Sequence, residues 1–227
     1  LEPLAAELDG EFEVCDVGDR EAVERVAATV IDRHPAIALL VNNAGIPGRR
    51  SFHRIEPEAI EALVRVNYLG GVWCQRAFLP ALERARPADV VNIVSVAGAV
   101  AFAPSGPYSA AKHAQLAFSR ASAAELRPRG IRVHTVNPGF VETEGFPQDA
   151  VRRVPILGRL VVGPERVADH VLKVLERDRA ETFVPGAYRL AAIAQALAPG
   201  LLSRLLARSG YRRIEREGHD ERPGSGE

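Results

Sequence analysis

Ser95, Tyr108 and Lys112 are three residues whose chemistry can serve the transfer of a proton. Tyr108 and Lys112 are four residues apart, and residues at this spacing share one face of a helix. A phenol has an unperturbed pKa of about 10, and a neighbouring ammonium group favours its ionised form. The pair therefore suits a tyrosine that acts as general acid or base near neutral pH. Ser95 could donate a hydrogen bond to the same substrate oxygen.

The use of lysine in this chain supports a functional interpretation of the pair. Of the 29 Lys and Arg residues only Lys112 and Lys173 are lysine, so cations are otherwise supplied by arginine. A compact ammonium is not interchangeable with a planar guanidinium at a site that needs a point charge. These residues alone also fit a plainer interpretation, an exposed helical pair beside a half-buried tyrosine.

Local patterns predict the elements that would position the three side chains. Val90, Val91, Ile93 and Val94 predict a buried parallel strand, so Ser95 would lie at its carboxyl end, where open α/β sheets bind ligands. Gly and Pro residues predict a loop over 97–107, and a helix is predicted to begin at Tyr108.

Several further motifs occur in a fixed order along the chain. They are Asp16-Val17 after a strand, Asn42-Asn43-Ala44-Gly45 after another, Asn67 within a helix, Ser95, Tyr108 to Lys112, and Asn137-Pro138-Gly139 followed by Thr143. With these motifs the chain resembles the classical short-chain dehydrogenases/reductases over roughly residues 1–186. The resemblance implies an α/β fold, a Rossmann-like doubly wound parallel sheet with helices on both faces in a single domain.

The resemblance also implies a reaction and a role for each matching residue. The reaction is hydride transfer that interconverts an alcohol and a ketone or aldehyde with NAD or NADP. The implied catalytic residues are Asn67, Ser95, Tyr108 and Lys112. The residues implied to bind the cofactor are Asp16, Val17, Asn43, Ala44, Gly45, Tyr108, Lys112, Pro138, Gly139 and Thr143. A turn or capping role is the alternative for Asp16, with Asp19 the better candidate for the helix cap.

The family's first strands and glycine-rich phosphate-binding turn do not appear in the 227 residues, which contain no Met. We therefore expect the chain to be a fragment of a longer functional protein, with a degenerate reading frame as the alternative. Family strand order would leave the segment Glu11 to Cys15 without a neighbour and would expose an apolar sheet edge. The expected divisions are a catalytic domain over 1–186, a helical extension over 187–210 and a disordered tail over 211–227.

The spacing of apolar residues and the positions of Gly and Pro predict the remaining helices and strands. Helices are expected over 1–8, 20–34, 57–80 and 164–177, the last with Val167, Val171, Leu172 and Leu175 facing inward. Strands are expected over 11–15, 37–41, 131–136 and 182–184, with 37–41 a central strand covered on both faces. Residues 144–162 are expected to form a substrate lid.

Composition excludes several classes of function. The formal net charge is zero, which gives no attraction to nucleic acid or to an anionic membrane. Cys15 and Cys74 lack metal-binding spacing and fit reduced thiols in a cytoplasmic protein, and the scattered histidines indicate no metal site. The apolar stretch 190–202 is too short to span a bilayer. The helical segment 187–209 could cover the substrate pocket, pair with another subunit or touch a membrane surface, and its sparse charge favours the first two.

Apolar residues near the expected site favour an apolar alcohol or ketone as the substrate: Val96, Val100, Phe102, Phe140 and Phe146. By resemblance, the long helices 57–80 and 108–127 would form a homodimer or homotetramer. An inactive binding or assembly protein and a non-functional truncated product are the alternatives. An enoyl reductase is disfavoured because only three residues separate Tyr108 from Lys112.

Overall fold

A four-stranded parallel sheet forms the centre of the computed structural model, which describes residues 2–48, 50–143, 158 and 160–208. The strands lie in the order β1-β2-β3-β4, and every neighbouring pair is parallel. Their bounds are β1 Leu39–Asn42, β2 Ala88–Ile93, β3 Ile131–Pro138 and β4 Glu181–Val184. The strands predicted at 90–94, 131–136 and 182–184 are thus present as β2, β3 and β4, with ends that differ by up to two residues.

Helices cover both faces of the sheet because successive residues of each strand point to opposite sides. Val90 belongs to a cluster with Leu82 and Leu126, whereas Val91 belongs to one with Val174 on the other face. The helices are α1 Glu2–Glu7, α2 Arg20–Arg33, α3 Pro57–Val64, α4 Gly70–Ala85, α5 Gly106–Leu126, α6 Pro164–Glu176, α7 Tyr188–Leu197 and α8 Pro199–Arg208. This arrangement confirms the predicted doubly wound α/β class.

The helix predicted over 57–80 differs from the structure in two respects. A π-helical turn, Arg65–Leu69, separates α3 from α4, and Asn67 lies inside that turn. The helix also continues past Pro80 to Ala85. Proline removes one backbone hydrogen bond from a helix. Burial of Ala81 and Leu82, both 0% exposed, supports the helix beyond it.

The amino-terminal side of the sheet corrects two predictions. Residues 11–15 form no strand, and the predicted central strand 37–41 is β1, an edge strand of the described sheet. Phe12 and Val14 are exposed, and so are Leu39 (43%) and Val41 (44%) on β1. In the described part of the chain no strand pairs with residues 11–15, and β1 pairs only with β2. The outer side of β1 is therefore unpaired, which explains both differences and agrees with the expected exposed apolar edge.

Two smaller predictions are wrong for reasons of packing. Strand β3 does not stop at Val136, because Asn137 and Pro138 continue the ladder opposite Phe183 and Val184 of β4. On α6, Leu172 does not face inward. It is 61% exposed, and Val174 is the buried residue.

The carboxyl-terminal segment forms two helices that pack on the rest of the fold. Tyr188 of α7 is buried with Val96, Val100 and Phe183, and Leu202 of α8 packs against the same cluster. The helices α7 and α8 therefore pack against the loop that follows β2. Within the described residues, no helix combines the length and apolar character needed to cross a bilayer. The predicted lid, apart from 158 and 160–162, and the predicted tail lie outside the described residues.

Candidate active site

Ser95 lies just beyond the carboxyl end of β2, as predicted. The half-buried residue precedes a short 3-10 turn, Val96–Gly98, and its Oγ accepts a hydrogen bond from the backbone N–H of Ala97 at 3.1 Å. This bond uses a lone pair and not the hydroxyl proton. The hydroxyl therefore remains able to donate to another oxygen.

Tyr108 and Lys112 lie on one face of α5, as their spacing predicts. The helix begins at Gly106, so Tyr108 lies in its first turn and does not open it as expected. The Nζ atom of Lys112 is 5.9 Å from the centroid of the Tyr108 ring. This distance is within the range of a cation–π contact between the ammonium and the ring.

The Lys112 ammonium is buried, and only 4% of the residue is exposed. Nζ donates to the carbonyl of Ile93, the last residue of β2, at 3.4 Å and to Oε1 of Gln115 at 2.9 Å. Burial lowers the pKa of Lys112 from 10.5 to about 8. Lys112 is therefore mainly protonated at neutral pH, but it loses its proton at a lower pH than an exposed lysine does.

Asn67 connects the π-helical turn to the loop after β1. Its side chain is 1% exposed; Nδ2 donates to the carbonyl of Ile46 at 3.0 Å, and Oδ1 accepts from the N–H of the same residue at 3.1 Å. A π-helical turn within a longer helix often marks a functional site. Here it places a buried amide where it can bind the backbone of that loop.

The loop from Asn43 to Gly48 lies against the helices that carry the other site residues. A Cβ atom added to Gly45 would lie 2.8 Å from Oδ1 of Asn67 and 3.7 Å from Nζ of Lys112. A Cβ on Gly48 would lie 2.9 Å from both Leu63 Cδ1 and Tyr108 Cβ. These close approaches require glycine and bring Gly45, Asn67 and Lys112 together.

The other residues implied to bind a cofactor on this side form an exposed rim. Asn43 and Ala44 are exposed, and Asp16 is exposed with Oδ1 accepting from the N–H of Gly18 at 2.8 Å. Val17 packs against Gly70 at the start of α4. Asp16 therefore stabilises a turn, while Asp19 caps α2 by accepting from Glu21 and Ala22, as predicted for Asp19.

Pro138 and Gly139 end strand β3 under the carboxyl-terminal helices. The N–H of Gly139 donates to the carbonyl of Val184 at 2.8 Å. The Tyr188 ring occupies the space where a Cβ on Gly139 would lie, only 1.9 Å from Cε2. Thr143 is exposed. This turn is therefore held between β4 and α7.

The expected apolar residues have a partly structural role. Val96 and Val100 are core residues in the cluster with Tyr188, and Phe102 and Phe140 pack at its edge. Phe146 lies outside the described residues. The cluster supports the loop after Ser95, so only its outer members can line a substrate pocket.

A row of polar side chains supports the sheet behind the site. Nδ2 of Asn42 donates to Oδ1 of Asn92 at 2.8 Å, and Nδ2 of Asn92 donates to Oγ of Ser119 on α5 at 2.8 Å. The Ser119 hydroxyl is 2.7 Å from that of Thr135. Asn42, Asn92 and Thr135 lie opposite one another on β1, β2 and β3. The buried network ties α5 to three strands.

Sequence reasoning missed Gln115, Ile46 and Tyr188. Gln115 lies three residues after Lys112, and this spacing on a predicted helix is a signal that could have identified it. The pairing of Ile46 with Asn67 and the contact of Tyr188 with Gly139 join distant segments and have no local signal.

Comparison with known proteins identifies the family. The family model described as short chain dehydrogenase matches residues 2–150. This match covers more than half of the chain, so the protein belongs to the short-chain dehydrogenase family. Its parallel sheet with helices on both faces agrees with that assignment.

Named relatives and a solved structure support the family assignment. The chain is 36% identical over 171 residues to a 1-deoxy-11-beta-hydroxypentalenate dehydrogenase of Streptomyces exfoliatus, covering 74% of this chain and 62% of the relative. It is 33% identical over 166 residues to a 3-oxoacyl-acyl-carrier-protein reductase of Thermotoga maritima, covering 70% and 67%. A short chain dehydrogenase from Burkholderia cenocepacia, solved in complex with NADP, has a TM-score of 0.72 and 31% identity over 87% of this chain and 78% of that one. The chain thus spans less than two thirds of the Streptomyces relative.

Proposed function

We propose that the protein is an NAD(P)(H)-dependent oxidoreductase that interconverts an alcohol and a ketone or aldehyde. The observation that carries this proposal is the buried Lys112 ammonium, 5.9 Å from the Tyr108 ring and beside Gly45. Burying a charged group is costly unless hydrogen bonds compensate. A lysine kept at such a position is therefore more consistent with chemistry than with stability.

Each residue has a role in moving a proton or holding an oxygen. The Tyr108 hydroxyl gives a proton to the substrate oxygen in reduction and takes one from the substrate hydroxyl in oxidation. The Lys112 charge favours the phenolate form, and the Ser95 hydroxyl donates a hydrogen bond to the substrate oxygen. Asn67 holds the loop that carries Gly45 and organises the proton path beyond Lys112.

The residues around Gly45 fit a nicotinamide cofactor. The missing Cβ of Gly45 lets its backbone approach Asn67 and the Lys112 ammonium closely, and Asn43 and Ala44 are exposed beside it. We assign cofactor contacts to Asp16, Val17, Asn43, Ala44, Gly45, Tyr108, Lys112, Pro138, Gly139 and Thr143. When bound, NADH or NADPH supplies the hydride and its oxidised form accepts one.

We propose an apolar substrate, because Phe102 and Phe140 flank the loop after Ser95. The names of the two relatives, a hydroxypentalenate dehydrogenase and an oxoacyl reductase, support a carbinol or ketone on a largely hydrocarbon skeleton. The NADP-bound neighbour supports testing NADPH first.

The sequence also suggests a location, an assembly and a division of the chain. We propose a cytoplasmic homodimer or homotetramer assembled through α5 and the helices from Pro57 to Ala85. The proposed organisation is a catalytic domain over 1–186, a helical extension over 187–210 and a tail over 211–227.

The test is a titration of NADH and NADPH, each followed by quenching of Trp73 fluorescence and by the melting temperature. Saturable binding, followed by turnover of ketones in a panel of graded chain length, is expected. The variant Tyr108→Phe should retain cofactor binding and lose about 100-fold or more in kcat. A folded protein that binds neither dinucleotide, or equal activity of Tyr108→Phe and the unmodified chain, would contradict the proposal.

A further inference from the structure

Gln115 is the nearest hydrogen-bond partner of the Lys112 ammonium. Both residues are 4% exposed and lie three positions apart on the same face of α5. The distance from Nζ to Oε1 of Gln115 is 2.9 Å, whereas the distance to the Ile93 carbonyl is 3.4 Å, at the long limit for a hydrogen bond. Gln115 therefore supplies the shorter of the two recorded bonds.

No carboxylate in the described part of the chain pairs with Lys112. The groups around Nζ are the Tyr108 ring on its own helix, the Ile93 carbonyl from β2, and Gly45 with the neighbouring Asn67 amide. Of these only the Tyr108 phenol titrates. An amide oxygen thus stabilises the ammonium without adding a negative charge. Burial can therefore hold the pKa of Lys112 at about 8.

Gln115 also connects the lysine to the strand before Ser95. Its Nε2 donates to the Ile93 carbonyl at 3.5 Å, and the same carbonyl accepts from Nζ of Lys112. Ile93 is two residues before Ser95. An ammonium has three donors, so these two acceptors leave one N–H of Lys112 for a bound group on the side of Gly45.

We propose that Gln115 is a positioning residue that holds the Lys112 ammonium between Ile93 and Gly45 and sets its charge state. The consequence for turnover rests on the function proposed above, but the coupling between Gln115 and Lys112 does not. Three substitutions distinguish the effect of a charge at position 115 from the effect of the length of the side chain there. Gln115→Glu adds a negative charge at the same place, Gln115→Asn withdraws the oxygen by one methylene, and Gln115→Leu removes it.

The chain permits a direct measurement because Lys112 and Lys173 are its only lysines. Protein labelled with ¹³C-lysine should give two Cε signals, and Lys173→Arg assigns them. We expect the titration midpoint of Lys112 to rise by about one pH unit or more in Gln115→Glu, because an opposite charge favours the ammonium. It should fall in Gln115→Asn and Gln115→Leu, which remove the short hydrogen bond.

Gln75→Leu is the matched control. Gln75 is a buried glutamine on α4, 5% exposed, and forms no recorded bond to Lys112. This variant should leave the Lys112 midpoint unchanged, and melting curves should show that every variant folds. If Gln115→Leu does not fold, Gln115→Glu and Gln115→Asn still test the opposite directions.

Two readouts distinguish failure of this proposal from failure of the proposed function. Shifts of the Lys112 midpoint that are opposite in sign in Gln115→Glu and Gln115→Asn support the positioning role. In each variant the alkaline limb of the kcat–pH profile should move in the same direction as the midpoint. A Lys112 midpoint that is the same in Gln115→Glu and Gln115→Asn overturns it. If the midpoint shifts as expected but the unmodified chain binds no dinucleotide, the coupling stands and the oxidoreductase assignment fails.

Discussion

Asn67 and Ile46 form a reciprocal pair of hydrogen bonds, with the side-chain amide of one joined to both backbone groups of the other at 3.0 and 3.1 Å. The pair joins the π-helical turn between α3 and α4 to the loop after β1. Gly45, next to Ile46, approaches Lys112. The position of this loop relative to the lysine thus depends on one buried amide.

Asn67→Ala should destabilise the protein by about 2–4 kcal/mol, because two partly buried backbone groups of Ile46 lose their partners at about 1–3 kcal/mol each. Urea unfolding of the two proteins measures this. Equal stability of Asn67→Ala and the unmodified chain would show that the pair does not hold the loop.

Gly45→Ala should weaken dinucleotide binding by about 10-fold or more and should also lower the melting temperature, because the site becomes overpacked. The added Cβ would lie 2.8 Å from Oδ1 of Asn67 and close to Nζ of Lys112, so the loop must shift. Trp73 fluorescence titration with NADPH measures the effect. Gly106→Ala is the matched control, because no atom lies within 4 Å of its added Cβ. The same affinity for Gly45→Ala as for Gly106→Ala would contradict the assignment of this loop.

Burial of Lys112 should make a contribution to stability that rises with pH between about 8 and 10.5. In this window the unfolded chain, in which lysine has its ordinary pKa, binds more protons than the folded chain, in which burial lowers the pKa of Lys112 to about 8. Unfolding therefore takes up a proton. The shift corresponds to about 3 kcal/mol across the window, at about 1.4 kcal/mol per pH unit.

Urea unfolding of Lys112→Met and of the unmodified chain at several pH values tests this contribution. The difference between the two proteins should change with pH across the window, because only one carries the buried amine. The control is Lys173→Arg, which changes the other lysine of the chain. Its free energy of unfolding should vary with pH as that of the unmodified chain does. A difference that stays constant from pH 7.5 to 10.5 would show that the lysine has an ordinary pKa.

Gly139→Ala should destabilise the protein by about 1–3 kcal/mol, the usual cost of an overpacked site. The added Cβ meets the Tyr188 ring, which packs α7 onto the end of β3. In the double variant Gly139→Ala/Tyr188→Leu the two effects should not add, because the smaller side chain leaves room. A thermodynamic cycle of urea unfolding measures the coupling. Full additivity would mean that the ring does not rest on Gly139.

The sequence alone determined the features that depend on local spacing. Tyr108 and Lys112 share a face of α5 because they are one helical turn apart, Asp19 caps α2, and Ser95 follows a strand of β-branched residues. The parallel sheet with helices on both faces was implied by the resemblance to the classical short-chain dehydrogenases/reductases, and its strands and helices do alternate along the chain. Most of the candidate site residues were named through the same resemblance.

Tertiary structure alone decided the relations between distant segments. The choice of Ile46 as the partner of Asn67, the contact of Tyr188 with Gly139 and the exposed edge position of β1 depend on which segments meet in space. Burial of the Lys112 side chain, which lowers its pKa, belongs to the same class. Periodicity reports the face of an element but not what packs against that face. Packing decides both the partner of a buried polar group and the dielectric around it.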